Sequence, residues 1–233
     1  HLISVSLLFM QTDLMYYSLW IIIPVYILVI GTINAYNFMD GINGITGAYS
    51  MITILSLYFI NESQLSFIKG DWLIVSALAL LVFSFFNFRK KAKCFAGDVG
   101  SVSMAFIIIF FLLLLIIQSG DLKYIGLLLI YGLDTVSTII FRLIRRENIF
   151  EAHRSHFYQY LANVKGWPHL QVSSIYMLLQ GLVNLLIIYS DWDSLDFLTF
   201  ILISGLVFVG MRFVVEGRER LMGRGLANEK ISK

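Results

Sequence analysis

The sequence predicts an all-α fold, a polytopic transmembrane helical bundle of about seven complete spanning helices plus a partial one. Three observations predict it. Of the 233 residues, 58% are hydrophobic and 14% charged, a balance that a soluble surface does not tolerate. Apolar stretches suited to spanning, which takes roughly 20 residues, fall at 16–36, 45–60, 72–87, 101–118, 124–143, 171–189 and 197–214. The loops between them are short. Period-2 alternation with regular turn signals, the mark of a membrane barrel, is absent.

In chain order, Leu2 to Met10 is apolar but too short to span, and it follows a histidine rather than an initiator methionine. A secretory signal would show a basic segment ahead of its apolar core, which is not seen here, so none is expected. The stretch is expected to be the tail of a helix that starts upstream, making residues 1–233 the C-terminal part of a single integral-membrane domain.

The first spanning stretch ends in the polar run Asn37-Phe38-Met39-Asp40-Gly41-Ile42-Asn43-Gly44-Ile45. An acid at the edge of the hydrocarbon is costly and is retained mainly where it binds an ion, a proton or a substrate. Glycines let a backbone turn sharply beside a ligand. A plain inter-helix turn explains the same composition.

After the second and third stretches comes Lys91-Ala92-Lys93-Cys94-Phe95-Ala96-Gly97-Asp98-Val99-Gly100-Ser101, directly before a long helix. Glycines permit close approach, free N–H groups at a helix start favour oxygen anions, and a carboxylate is the hard ligand that Mg²⁺ prefers. A metal-bound phosphate would suit such a place. Helix capping accounts for Asp98 or Ser101, but hardly for the flanking glycines and Phe95 as well.

The stretch 124–143 contains Asp134, in Leu133-Asp134-Thr135-Val136-Ser137-Thr138. A charge there needs a partner or a water-filled cavity. Arg142 lies two turns away, so a local pair does not follow. Asp134 is expected to face the bundle and act on substrate, with hydrogen bonding to a neighbouring helix as the alternative.

The next loop reads Phe150-Glu151-Ala152-His153-Arg154-Ser155-His156-Phe157-Tyr158-Gln159-Tyr160. On a helix, His153 and His156 share one face. No Cys or further His stands near them, which argues against a closed zinc site. With Arg154 they suit an anionic diphosphate, as donors or as an acid/base partner; a solvated interfacial loop is the alternative.

Lys and Arg gather in alternate loops, at Arg89 to Lys93, Arg142 to Lys165 and Arg212 to Lys233, while the intervening loops are mainly acidic. The positive-inside rule makes the first set cytoplasmic, and helix counting puts the Asn37–Gly44 run on the same face. Trp72 and Trp192 then anchor the outer interface and Trp167 the inner one. The lone Cys94 forms no internal disulfide, zinc cluster or redox pair. A net charge of +2 calls for no nucleic-acid partner; membrane lipid is the expected surroundings.

The four motifs Asn37-Phe-Met-Asp40-Gly-Ile-Asn43-Gly, Phe95-Ala-Gly-Asp98-Val-Gly-Ser, Asp134-Thr-Val-Ser and His153-Arg-Ser-His156 occur in that order. Together they resemble the polyprenyl-phosphate N-acetylhexosamine-1-phosphate transferases. That family includes phospho-N-acetylmuramoyl-pentapeptide transferase and the enzymes that start enterobacterial common antigen, teichoic acid and O-antigen. The resemblance implies attack of undecaprenyl phosphate on the β-phosphate of a UDP-N-acetylhexosamine, giving a lipid-diphosphate sugar and UMP, in the bacterial inner membrane.

It further implies Mg²⁺ as cofactor, with Mn²⁺ allowed, and Asp98 as the metal ligand. Phe95 would lie against uracil, Asn37 and Asp40 near the nucleotide diphosphate, and His153 and His156 on the diphosphate. Asn43, a second Asp in several branches, resembles the O-antigen or capsule branch that often uses 6-deoxy amino sugars. The absence of consecutive histidines argues against the muramoyl-pentapeptide substrate. The family's Asp-Asp pair on an earlier loop occurs nowhere in this chain, so three to four helices are expected to be missing. A homodimer is allowed. Two other readings stand beside this one: an ion- or proton-coupled transporter or flippase using Asp134, and an inactive fragment.

Overall fold

The computed structural model describes residues 19–149, 151 and 154–223. The partial helix expected at Leu2–Met10 lies outside the described residues. Seven long helices follow in order: α1 Leu19–Met39, α2 Ile45–Ser63, α3 Gly70–Asn87, α4 Gly97–Ser119, α5 Leu129–Ile144, then, after a short helical segment at 157–164, α7 His169–Tyr189 and α8 Ser194–Glu216. The short segment is α6, Phe157–Gln159, continued by a π turn over Tyr160–Val164; α9, Arg218–Met222, follows α8. No strand occurs among the described residues.

Six spans are long and apolar enough to cross a membrane, α5 counting with the 3₁₀ segment that precedes it. The exception is α2. It carries Thr46, Ser50, Thr53, Ser56 and Asn61 as buried residues and lies in the middle of the bundle against α3, α4 and α7. Serine and threonine in such a place return their hydroxyls to the helix backbone, as Thr53 does to Tyr49 and Ser56 to Ile52. At the other extreme, α8 buries only Phe197, Phe208, Arg212 and Glu216, and α3 only Leu73, Leu80 and Asn87. Their remaining faces are apolar and exposed, which fits lipid contact. The protein is a multi-pass membrane bundle.

One expected span differs in detail. The stretch 124–143 opens as a 3₁₀ helix over Leu122–Leu128, and the α-helix begins at Leu129. The cause is Gln180 of α7: its amide donates to the Gly126 carbonyl at 3.0 Å, and its oxygen accepts from Ile130 N at 2.9 Å. These bonds satisfy backbone groups that the tighter helix leaves free. The same amide oxygen accepts from the Tyr49 hydroxyl at 2.6 Å, tying α2, α5 and α7 together.

The turn 40–44, the loop 88–96, the loop 145–156 and the end of α8 all gather at one end of the bundle. Gly44 makes the first turn possible. It adopts φ 85°, and a side chain there would also strike the Phe88 ring. Asn87 then accepts from Gly44 N at 2.8 Å and donates to the Cys94 carbonyl at 2.8 Å, joining the first two loops.

Candidate functional site

Asp98 stands in the first turn of α4, exposed, where helix N–H groups are free. Asn37, in the last turn of α1, donates its amide to Asp98 Oδ1 at 2.9 Å and reaches Ser101 Oγ at 3.4 Å. Asp40 accepts from the Thr46 hydroxyl at 2.7 Å and lies near the Gly97 amide. Two motifs about sixty residues apart in sequence thus meet, and the charge of Asp98 is felt at Asp40.

Burial raises the proton affinity of Asp40 above the ordinary carboxyl value, and the neighbouring charge of Asp98 adds to the rise. The bond from Thr46 and the nearby Gly97 amide act the other way. A carboxylate pair in this condition gains from a cation. Groups of three or more potential metal ligands are absent among the described residues. Mg²⁺ takes one or two carboxylates and completes its shell with water and phosphate oxygens, so the pair suffices. Phe95 is 72% exposed on the same loop, and Arg154 is exposed on the loop 145–156.

Asn43 does not turn towards this pair. Its amide donates to the carbonyls of Arg89 at 3.0 Å and Lys90 at 3.2 Å, and its own carbonyl accepts from Ser173 at 2.8 Å. Its side chain shapes the basic loop, away from the Asn37–Asp98 contact that the sequence expectation grouped it with.

The expectation for Asp134 is corrected. It is fully buried and accepts from Phe157 N at 2.9 Å, Tyr158 N at 3.2 Å, the Tyr176 hydroxyl at 2.6 Å and Thr138 at 3.2 Å. The hydrogen-bonding alternative is what the fold uses. Arg142 turns away from it to hold the loop, through Glu147 and the Asn148 carbonyl. His156 is 1% exposed, with Nδ1 3.4 Å from Asp134 Oδ1, so its imidazole braces this network instead of facing a diphosphate. His153 lies outside the described residues.

Several residues that matter here carry no motif signal: Thr46, Asn87, Tyr158, Tyr176 and Arg212. Tyr158 is the most informative. Its hydroxyl donates to the Phe38 carbonyl at 2.8 Å, binding the histidine loop to the Asn37–Gly44 turn, and a Cβ on Gly41 would collide with that hydroxyl. Gly41→Ala should therefore push the two loops apart and lower the melting temperature by several degrees, a loss that Tyr158→Phe added to Gly41→Ala partly restores by removing the clashing oxygen. Thermal unfolding of the three variants checks this. The cue was available in the sequence as a glycine directly after an acid, but nothing there names its partner.

Comparison with known proteins bears on the arrangement at this point. The profile of the family described as Glycosyl transferase family 4 matches residues 1–116. A probable undecaprenyl-phosphate N-acetylglucosaminyl 1-phosphate transferase of Bacillus subtilis is 28% identical over 170 residues, 68% of this chain and 46% of that protein. The chain belongs to glycosyl transferase family 4. A phospho-N-acetylmuramoyl-pentapeptide-transferase of Streptococcus thermophilus is 32% identical over 117 residues, 48% of this chain and 32% of its own length. One from Staphylococcus carnosus is 29% identical over 165 residues, 67% and 48% of the two chains. The family 4 chain thus spans about half the length, or less, of these curated relatives. The profile match takes in Asn37, Asp40, Asn43, Phe95 and Asp98, while the matches to the Bacillus and Staphylococcus proteins cover about two thirds of the chain.

Proposed function

We propose that the protein carrying this chain transfers an N-acetylhexosamine 1-phosphate from a UDP-sugar to undecaprenyl phosphate, releasing UMP, at the cytoplasmic face of a bacterial inner membrane. The observation that carries the reading is the meeting of Asn37, Asp40 and Asp98, through the 2.9 Å bond from Asn37 to Asp98, where apolar helices give way to basic loops. The names of the relatives support the same reaction class.

Asp98 and Asp40 would hold Mg²⁺, or Mn²⁺, which when bound neutralises diphosphate charge and steadies the departing UMP. Asn37 orients Asp98 by fixing one carboxylate oxygen and leaving the other open. The exposed Phe95 ring offers a face for uracil, and the exposed Arg154 guanidinium offers paired donors for phosphate oxygens. An oxygen of the lipid phosphate forms the new bond to the β-phosphorus; the bond from that phosphorus to the UMP oxygen breaks, and its electron pair leaves with UMP. A lipid acceptor requires the reacting atoms at the membrane surface, which suits residues at the ends of candidate membrane spans.

The finer reading is a 6-deoxy amino sugar and an O-antigen or capsule product. Asn43 supports it through loop shape: its donor to Arg89 and Lys90 is one that the aspartate of other branches lacks. The reverse reading, an ion-coupled transporter, requires an open Asp134, and that carboxylate is closed by backbone and hydroxyl donors.

The deciding experiment incubates the intact protein with undecaprenyl phosphate and a panel of UDP-N-acetylhexosamines, with Mg²⁺ or with chelator, and measures UMP. Mg²⁺-dependent UMP from at least one sugar is expected; none from any sugar overturns the reading.

Asp40 gives a pH prediction with a defined sign. Its proton affinity is raised in the fold, so the folded state prefers the neutral acid. Its contribution to stability is complete below the ordinary carboxyl value of 3.8 and is lost as pH rises through the raised one. Relative to Asp40→Asn, the metal-free protein should gain melting temperature as pH falls through that window. Added Mg²⁺ should remove the difference by favouring the ionised form.

A further inference from the structure

We propose that Arg212, on the last membrane helix, is a positioning residue that clamps the histidine loop against the acidic pair. The inference takes its functional meaning from the transfer reaction proposed above, and its geometry stands independently of it. Arg212 is 1% exposed inside a helix that otherwise mostly faces outward. A buried guanidinium near hydrocarbon is costly, and apolar side chains would join two helices with less penalty. Its contacts indicate what it is kept for.

Nη1 donates to Ser137 Oγ at 2.9 Å and Thr138 Oγ1 at 2.8 Å on α5, and Nη2 donates to the Ser155 carbonyl at 3.1 Å. Nε is held by Glu216 at 2.5 Å, and the other oxygen of Glu216 lies 3.4 Å from Arg220. The guanidinium also sits 5.2 Å from the centre of the Phe141 ring. A lysine could not make these bonds at once, since it lacks the planar fork.

The two arms converge on one loop. Thr138, which accepts from Arg212, donates to Asp134, and Asp134 accepts the amides of Phe157 and Tyr158. Arg212 itself takes Ser155. Residues 155–158 are thereby gripped from both sides, directly after the exposed Arg154. From Tyr158 the contacts continue to the Phe38 carbonyl, and the adjoining Asn37 holds Asp98. Hydrogen bonds joined by short stretches of chain, Phe38 to Asn37 being one, thus run from α8 to Asp98, although α8 supplies no motif residue.

The test uses the intact protein in lipid nanodiscs, comparing wild type with Arg212→Met and Arg212→Lys. Limited trypsin digestion reads cleavage after Arg154 against cleavage within Arg89–Lys93, a loop Arg212 does not touch. Arg212→Met should raise the ratio of the two about tenfold, because a local opening is released without global unfolding. Arg212→Lys should fall between. UMP release should drop on the order of a hundredfold, as expected of a displaced contact group. Equal acceleration at both loops, or no change at either, overturns the proposal. Should Arg212→Met fail to fold, Thr138→Val removes one arm while keeping shape, and the same ratio should rise a few-fold; an unchanged ratio overturns the proposal equally. If wild type releases no UMP from any UDP-sugar, the reaction reading fails, while the cleavage ratio still decides whether Arg212 holds the loop.

Discussion

Replacing Asp98 by Asn is expected to lower Mg²⁺-dependent UMP release by about a hundred- to a thousandfold, the scale on which a single charge-stabilising group acts, with the fold intact. Asp98 is exposed, and its carboxylate accepts from the Asn37 amide, a bond that the carbonyl oxygen of the substituted amide could still accept. Little packing is lost. What disappears is one of the two negative charges proposed to hold a divalent ion. The change also relieves Asp40, whose proton affinity is raised in part by Asp98 and should therefore fall towards the ordinary value. Turnover within tenfold of wild type, at unchanged Mg²⁺ dependence, would remove Asp98 from the metal site.

Asp134→Ala should act on the fold itself. It would strand the amides of Phe157 and Tyr158 and the hydroxyls of Tyr176 and Thr138 in the interior. Each orphaned buried donor costs about 1–3 kcal/mol, and the losses do not simply add. A total of at least about 4 kcal/mol puts this among the severe single substitutions. At about 2–4 °C per kcal/mol for a chain of this size, the melting temperature should fall by roughly 10 °C. The measurement is thermal unfolding in detergent or nanodiscs; a drop below about 2 °C, less than one orphaned donor should cost, would refute the buried network. Asp134→Asn keeps one acceptor but turns an amide towards other donors, so its loss should be intermediate.

The bundle was legible because lipid imposes one simple rule on every span, apolar residues for about 20 positions. Helices stand at all seven expected stretches among the described residues. The rule fails gracefully at α2, whose buried hydroxyls lower its hydropathy without moving it out of the bundle. It misses the 3₁₀ start before α5, since that depends on Gln180 far along the chain.

At the site, Asn37, Asp40 and Asp98 could be singled out because acids beside glycines at a membrane edge are costly and specific. Their pairing could not be seen, as it needs the positions of three helices. Asp134 and His156 show the opposite limit. A buried acid beside a ligand and one beside backbone amides look alike in a sequence, and only the donors from Phe157, Tyr158 and Tyr176 distinguish them. Tyr158 was hidden because it acts through the Phe38 carbonyl, a group every residue has, and Arg212 because its partners Ser137, Thr138 and Ser155 lie far from it in sequence.

The polar face of α2 has a consequence for biogenesis. Tyr49 finds Gln180 131 residues later, and Ser56 finds Asn184 128 residues later. Ribosomes add about 5–20 residues per second, so these partners reach the membrane on the order of ten seconds after α2 does. During that interval the Tyr49 hydroxyl lacks its acceptor and Ser56 its donor, and α2, although Thr53 and Ser56 already bond their own helix backbone, has no fully apolar surface to present to lipid. The most central helix is thus the least able to enter the bilayer unaided, and it depends on the insertion machinery, or on earlier neighbours such as α3, to shelter it until α7 emerges.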